Sequence, residues 1–171
     1  MIRGLQLAMD LVHADKGVIA IKAIHGDAVR ALHQAIADDD RLALHFLPNI
    51  YPVGEERAVV REVLGTLLDA GSLPSKAGAV IINVETLQRM AEAVDAKKPL
   101  IDKDLTVAGK LNGPEVQIFH DMPLGMAVSD VLERAGGLGK EYGELIMGGP
   151  FMGKRTTLDA PIVKTTGGII A

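Results

Sequence analysis

The sequence predicts an α/β protein, an incomplete parallel sheet with helices followed by a small α+β unit, and three observations predict it. Short continuous apolar runs alternate with helical apolar spacing through the first hundred residues. A Pro/Gly turn, Asn49-Ile50-Tyr51-Pro52-Val53-Gly54-Glu55-Glu56-Arg57, leads from one such run into a helix that opens on two carboxylates. After Lys97-Lys98-Pro99 the pattern changes to short strands and glycine turns.

The chain opens on a helix. Residues 3–13 carry Leu5, Ala8, Met9 and Val12 at helical spacing, with no strand ahead of them. Gly17-Val18-Ile19-Ala20-Ile21 suits a strand buried on both faces. Asp27 to Ala37, with Val29, Leu32 and Ile36, returns to helical spacing, and Leu42 to Leu47 is a second strand. A strand, a helix and a strand in about thirty residues make a βαβ unit with parallel strands. The Tyr51 turn therefore leaves the carboxyl end of a parallel strand and enters a helix over Glu55–Leu68. A Gly/Ser/Pro loop, Asp69 to Gly78, precedes Ala79-Val80-Ile81-Ile82, read as a third buried strand, and Asn83 opens a helix over Glu85–Ala96. These elements compose an incomplete Rossmann-like sheet. Ligands of such sheets bind outside the carboxyl ends of the strands, so residues 22–27, 49–56 and 83–86 are expected to share one rim beside helix N-termini.

The second unit begins with a hairpin, Leu105–Ala108 and Glu115–Phe119, turning at Asn112-Gly113-Pro114. Met126 to Ala135 is a short amphipathic helix closed by Gly136-Gly137, which supply a left-handed cap. Glu144 to Met147 is a further strand, followed by the glycine-rich turn Gly148–Gly153. The expected units are 1–102 and 103–171.

Composition excludes several functions. The chain is 171 residues long, 48% hydrophobic and only 3% aromatic, with a net charge of −4. Without a basic excess or stacking platforms, nucleic acid is not an expected partner. Zero cysteines leave no thiol catalysis and no cysteine-held iron–sulfur cluster in this chain, and they fit a reducing, cytoplasmic setting. No stretch reaches the roughly 18 apolar residues of a membrane span.

Among candidate sites, Glu56 stands out. On a helical wheel it falls within the Val59, Val60, Val63 and Leu64 stripe, and an inward carboxylate asks for a donor or a ligand. Glu55 suits the helix macrodipole. Two adjacent glutamates on a helix diverge by roughly 100° and form no facing acid/base pair, so a glycosidase-type centre is rejected. Asn83 serves as a helix cap, and a functional role for it rests on sharing the rim with Glu56. The five histidines show no metal spacing. The Gly148–Gly153 turn lacks the lysine and spacing of a phosphate-cradling loop and is read as structural.

Taken in order, Tyr51-Pro52-Val53-Gly54-Glu55-Glu56-Arg57-Ala58, Asn83-Val84-Glu85-Thr86-Leu87 and Gly148-Gly149-Pro150-Phe151-Met152-Gly153 resemble the RnfC family of electron-transfer proteins over nearly the whole chain. Within it the chain looks closest to the members associated with proline reductase (PrdC), through Leu73-Pro74-Ser75, Lys98-Pro99, Met122-Pro123-Leu124-Gly125, Tyr142-Gly143-Glu144 and Lys164-Thr165-Thr166-Gly167-Gly168. The first two motifs also resemble the flavin-bearing subunit of respiratory complex I, where they border the FMN and NADH site. By position, the resemblance implies that Tyr51, Gly54, Glu55, Glu56 and Asn83 border the flavin or nucleotide. Ile82 stands where that flavin-bearing protein has a second asparagine. The second unit is implied to be an SLBB-like β-grasp domain, with Gly125-Met126 in place of the usual Gly-Thr.

Family members carry a glycine-rich flavin-phosphate loop ahead of the matched region and cysteine-based redox sites after it. The resemblance thus implies the central segment of a flavoprotein that passes electrons from NADH through FMN to a partner reductase such as proline reductase. The alternative is a non-catalytic docking module without its own cofactor. An exposed sheet edge where a first strand would lie also points to self-association.

Overall fold

The computed structural model describes residues 1–171, which divide into two compact units, Met1–Pro99 and Leu100–Ala171. In the first unit, α1 (Ile2–Val12) precedes β1 (Gly17–Lys22), α2 (Gly26–Ala35) and β2 (Leu42–Leu47). The two strands are parallel, in register from Gly17 opposite Leu42 to Lys22 opposite Leu47. Leu42 packs with Met9, Ile19 and Ile36 in one buried cluster. Leu47, of opposite parity, is buried on the other face. α3 (Glu56–Leu64) packs on both strands and buries Val60.

α4 (Val84–Asp95) lies along α1. The crossing needs Gly4: a Cβ there would stand 1.7 Å from the carbonyl oxygen of Leu87. Arg3 and Asp95 add a two-point ion pair, Nε to Oδ2 at 3.0 Å and a terminal nitrogen to Oδ1 at 3.2 Å.

Three expectations for this unit are corrected. Residues Ala79–Ile82 form no strand and join no ladder, and Val80 is 60% exposed. A four-residue apolar run states a preference for burial but names no neighbouring edge to pair with. α3 stops at Leu64 instead of Leu68, because Gly65 adopts φ 68° and its N–H returns to the Arg61 carbonyl. Glu56 is exposed rather than turned inward. It is the first helical residue, ahead of the turns that pack, so extending the helical wheel backward assigns it to a face that begins only later.

The second unit is a five-stranded mixed sheet in the order β4-β3-β7-β5-β6, formed by β3 (Asp102–Ala108), β4 (Val116–Pro123), β5 (Ile146–Met147), β6 (Lys154–Arg155) and β7 (Gly168–Ile170). α5 (Val128–Arg134) contributes Val128, Val131 and Leu132 to a core with Leu105, Val107 and Ile169 of the sheet. Gly136 and Gly137 end the helix with φ 99° and 84°, the conformation the paired glycines were expected to supply. The strand expected over Glu144–Met147 shortens to Ile146–Met147, and β6 and β7 are additional.

Candidate functional site

Because Lys22 pairs with Leu47, the segments leaving β1 and β2 start side by side at one end of the parallel pair. After β1, His25 precedes the first turn of α2 without a side-chain capping bond. After β2, the Tyr51 turn is anchored by Val53, 3% exposed, while Tyr51 is 62% exposed. The Tyr51–Pro52 peptide is cis, and the N–H of Glu55 returns to the Pro52 carbonyl at 2.8 Å. Gly54 is exposed, and a Cβ there would meet nothing within 4 Å.

Glu55 is the N-cap of α3. Its carboxylate accepts the Ala58 N–H at 3.1 Å and faces the Arg57 guanidinium at 3.4 Å. Partial desolvation pushes this carboxyl up, but the backbone donors of Arg57 and Ala58 and the Arg57 charge together outweigh it and hold it below the ordinary carboxylate range. The first donors of α3 are therefore engaged by the chain's own carboxylate. Exposed on the turn are the Tyr51 ring, an open glycine and the Glu56 carboxylate, and the carboxylate is an acceptor that suits hydroxyls and N–H donors and repels a phosphate.

The structure places Tyr51, Gly54, Glu55 and Glu56 together on this turn. Asn83 is the N-cap of α4, its Oδ1 accepting the Glu85 N–H at 2.9 Å. With no strand over Ala79–Ile82, no ladder carries Asn83 to the carboxyl end of β1 and β2. In the second unit, Gly148 adopts φ 111° and Gly153 donates to the Gly149 carbonyl at 2.7 Å, closing the tight turn between β5 and β6. That turn walls an apolar groove of about 270 Å³ over Thr106, Ala108 and Ile170.

A family model described as the Nuo51 FMN-binding domain matches residues 1–92. The chain belongs to this family. All five residues proposed from the sequence fall inside the stretch matched to the Nuo51 FMN-binding domain. Similarity continues past it. Over 171 residues the chain is 37% identical to the cobalamin reductase PduS of Salmonella typhimurium, covering 99% of this chain and 37% of the relative. It is 34% identical to the RnfC-type component of the Na(+)-translocating ferredoxin:NAD(+) oxidoreductase complex of Acetobacterium woodii, over 99% of this chain and 38% of the relative. The corresponding component of the proton-translocating ferredoxin:NAD(+) oxidoreductase complex of Clostridium ljungdahlii is 29% identical over 99% of this chain and 37% of the relative. This member of the Nuo51 FMN-binding family is thus RnfC-like along nearly its whole length and spans a little over a third of these curated relatives. No helix is long and apolar enough to cross a membrane.

Proposed function

We propose that this chain forms one wall of a flavin site in an RnfC-like electron-transfer protein, in which electrons from NADH pass through FMN to a partner reductase, proline reductase being the partner the sequence resemblance names. The observation that carries this reading is the open turn at the carboxyl end of β2: an exposed Tyr51, an unobstructed Gly54 and an exposed Glu56, within a stretch matched to an FMN-binding family.

The donor set fits part of the group. Tyr51, Glu56 and Asn83 supply oxygens that accept from ribityl or ribose hydroxyls and from ring N–H groups. Two of the five residues are carboxylates, which repel a phosphate, so these positions suit the ring and hydroxyl portions of a flavin. Gly54 leaves room for a ring against the backbone, and Glu55 fixes the helix start that presents Glu56. When bound, the flavin supplies the hydride and one-electron chemistry, and the protein supplies position and electrostatics. An exposed carboxylate near the ring disfavours added negative charge and so lowers the flavin potential.

The competing reading, a docking module without a cofactor, draws on the exposure of Glu56, whose carboxylate meets solvent without a ligand. Titration of FMN and of riboflavin into the chain, followed by flavin fluorescence, separates the two. The flavin reading predicts weak quenching of similar size with both, reduced by Glu56→Gln. No quenching with either flavin would contradict it.

A further inference from the structure

The five-stranded sheet ends on β4, and its first half lacks the usual protection of an edge. Gly109 donates to the Glu115 carbonyl at 2.9 Å, and Val107 pairs with Gln117. This phase turns the backbone groups of Glu115, Gln117 and Phe119 toward β3 and leaves those of Val116 and Ile118 pointing outward. Both side chains are exposed, by 63% and 66%. The second half of β4 is different: the register shifts between Lys103 and Leu105, Asp121 adopts φ 52°, and its N–H is held by the Asp104 carboxylate at 3.0 Å. A bulge of this kind twists an edge away from partners. From Val116 to Phe119 there is no bulge, no proline and no charged residue.

We propose that this edge pairs antiparallel with the same edge of a second copy of the chain, about a two-fold axis at Gln117. A two-fold perpendicular to the sheet keeps each side chain on its own face, so the axis must pass through a residue position. Centred on Gln117, it sets Val116 opposite Ile118 of the second copy, aligning outward N–H and C=O groups and pairing two β-branched side chains on each side. Centred on Gln117, the pairing stays within the unbulged stretch from Glu115 to Phe119, whereas centred on Ile118 it would run into the irregular backbone at Asp121, which selects the first register. Val116 and Ile118 lie on the face shared with Thr106, Ala108 and Ile170, so pairing extends that apolar surface across both copies.

The chain has no cysteine, so single cysteine variants report the register directly. Across the axis, opposed Gln117 Cα atoms would stand about 4.5 Å apart, within disulfide reach, whereas two Ile118 positions would lie beyond the roughly 7 Å limit. Gln117→Cys should oxidise to a linked dimer at least about tenfold faster than Ile118→Cys. In sedimentation equilibrium the unmodified chain should show a monomer–dimer equilibrium, Ile118→Lys should weaken it by about tenfold or more, and Val116→Glu with Ile118→Lys should restore it by placing opposite charges across the axis. Circular dichroism checks that the variants fold. A chain that stays monomeric, a dimer untouched by Ile118→Lys, or faster linkage through Ile118→Cys would each overturn the proposal.

Discussion

The Glu55 carboxylate accepts the backbone N–H of Ala58 at 3.1 Å, so the first of the two glutamates that open α3 holds its own helix while the second, Glu56, faces solvent. The pair therefore divides its work, one residue structural and one available to a ligand. Glu55→Ala should lower the melting temperature at neutral pH. The folded carboxyl is held below its ordinary value, so its stabilising contribution is present above the ordinary carboxylate range and disappears as pH falls through the lowered value. The gap in melting temperature between the unmodified chain and Glu55→Ala should close in acid, as thermal melts from pH 7 downward would show.

Asn83 caps α4 in the same way, through the Glu85 N–H at 2.9 Å. Asn83→Ala should cost about 1 kcal/mol, and Asn83→Asp should retain most of the stability, since both Asn and Asp cap well. Urea unfolding measures the difference. A loss of flavin binding in Asn83→Asp, with the fold intact, would give Asn83 a ligand role beyond the cap.

Much of this arrangement is legible in the residues. The βαβ unit follows from Gly17–Ile21, Asp27–Ala37 and Leu42–Leu47 because their apolar spacings differ in period, and a buried parallel strand has no polar face to blur the signal. Gly136-Gly137 announce the end of α5 because few other residues accept a positive φ. Gly65 carried the same information for α3 and would have ended the helix at Leu64. Ala79–Ile82 misled because pairing is a property of two segments, and the run describes only one. β7 is not legible for the converse reason: its three residues are too few for a period, and their place between β3 and β5 is set by long-range contacts. Glu56 shares its wheel position with the apolar stripe but precedes the turn at which that stripe begins to pack, so the wheel alone does not place it.

Two glycines of the first unit should behave oppositely. Gly4→Ala places a methyl 1.7 Å from the Leu87 carbonyl oxygen and should destabilise the α1–α4 crossing by about 2 kcal/mol or more. Gly54→Ala meets nothing within 4 Å and should leave stability within about 0.5 kcal/mol of the original. If the turn borders a flavin, that same methyl should still weaken flavin binding. Paired denaturation and flavin titrations on the two variants separate a packing glycine from a site glycine.

Asp39 anchors the loop before β2. Its carboxylate accepts from the Arg41 side chain, from Gln6 Nε2 at 3.0 Å and from the Arg41 N–H at 3.1 Å. The Arg41 side-chain bond first, and then the Gln6 bond, lower its pKa from 3.8 to about 2. The contribution to stability is complete above pH 3.8 and is lost as pH falls toward 2. Asp39→Asn should be less stable at neutral pH and should lose less stability over that acid interval, as melting curves across it would reveal.

The central claim is that the Tyr51 turn and Asn83 border a flavin, and amide chemical-shift mapping of the isotopically labelled chain during an FMN titration tests it most directly. The account predicts saturable shifts concentrated at Tyr51, Gly54, Glu55, Glu56 and Asn83, reproduced by riboflavin and weakened by Glu56→Gln. Shifts confined to other parts of the chain, or none at saturating flavin, would contradict it.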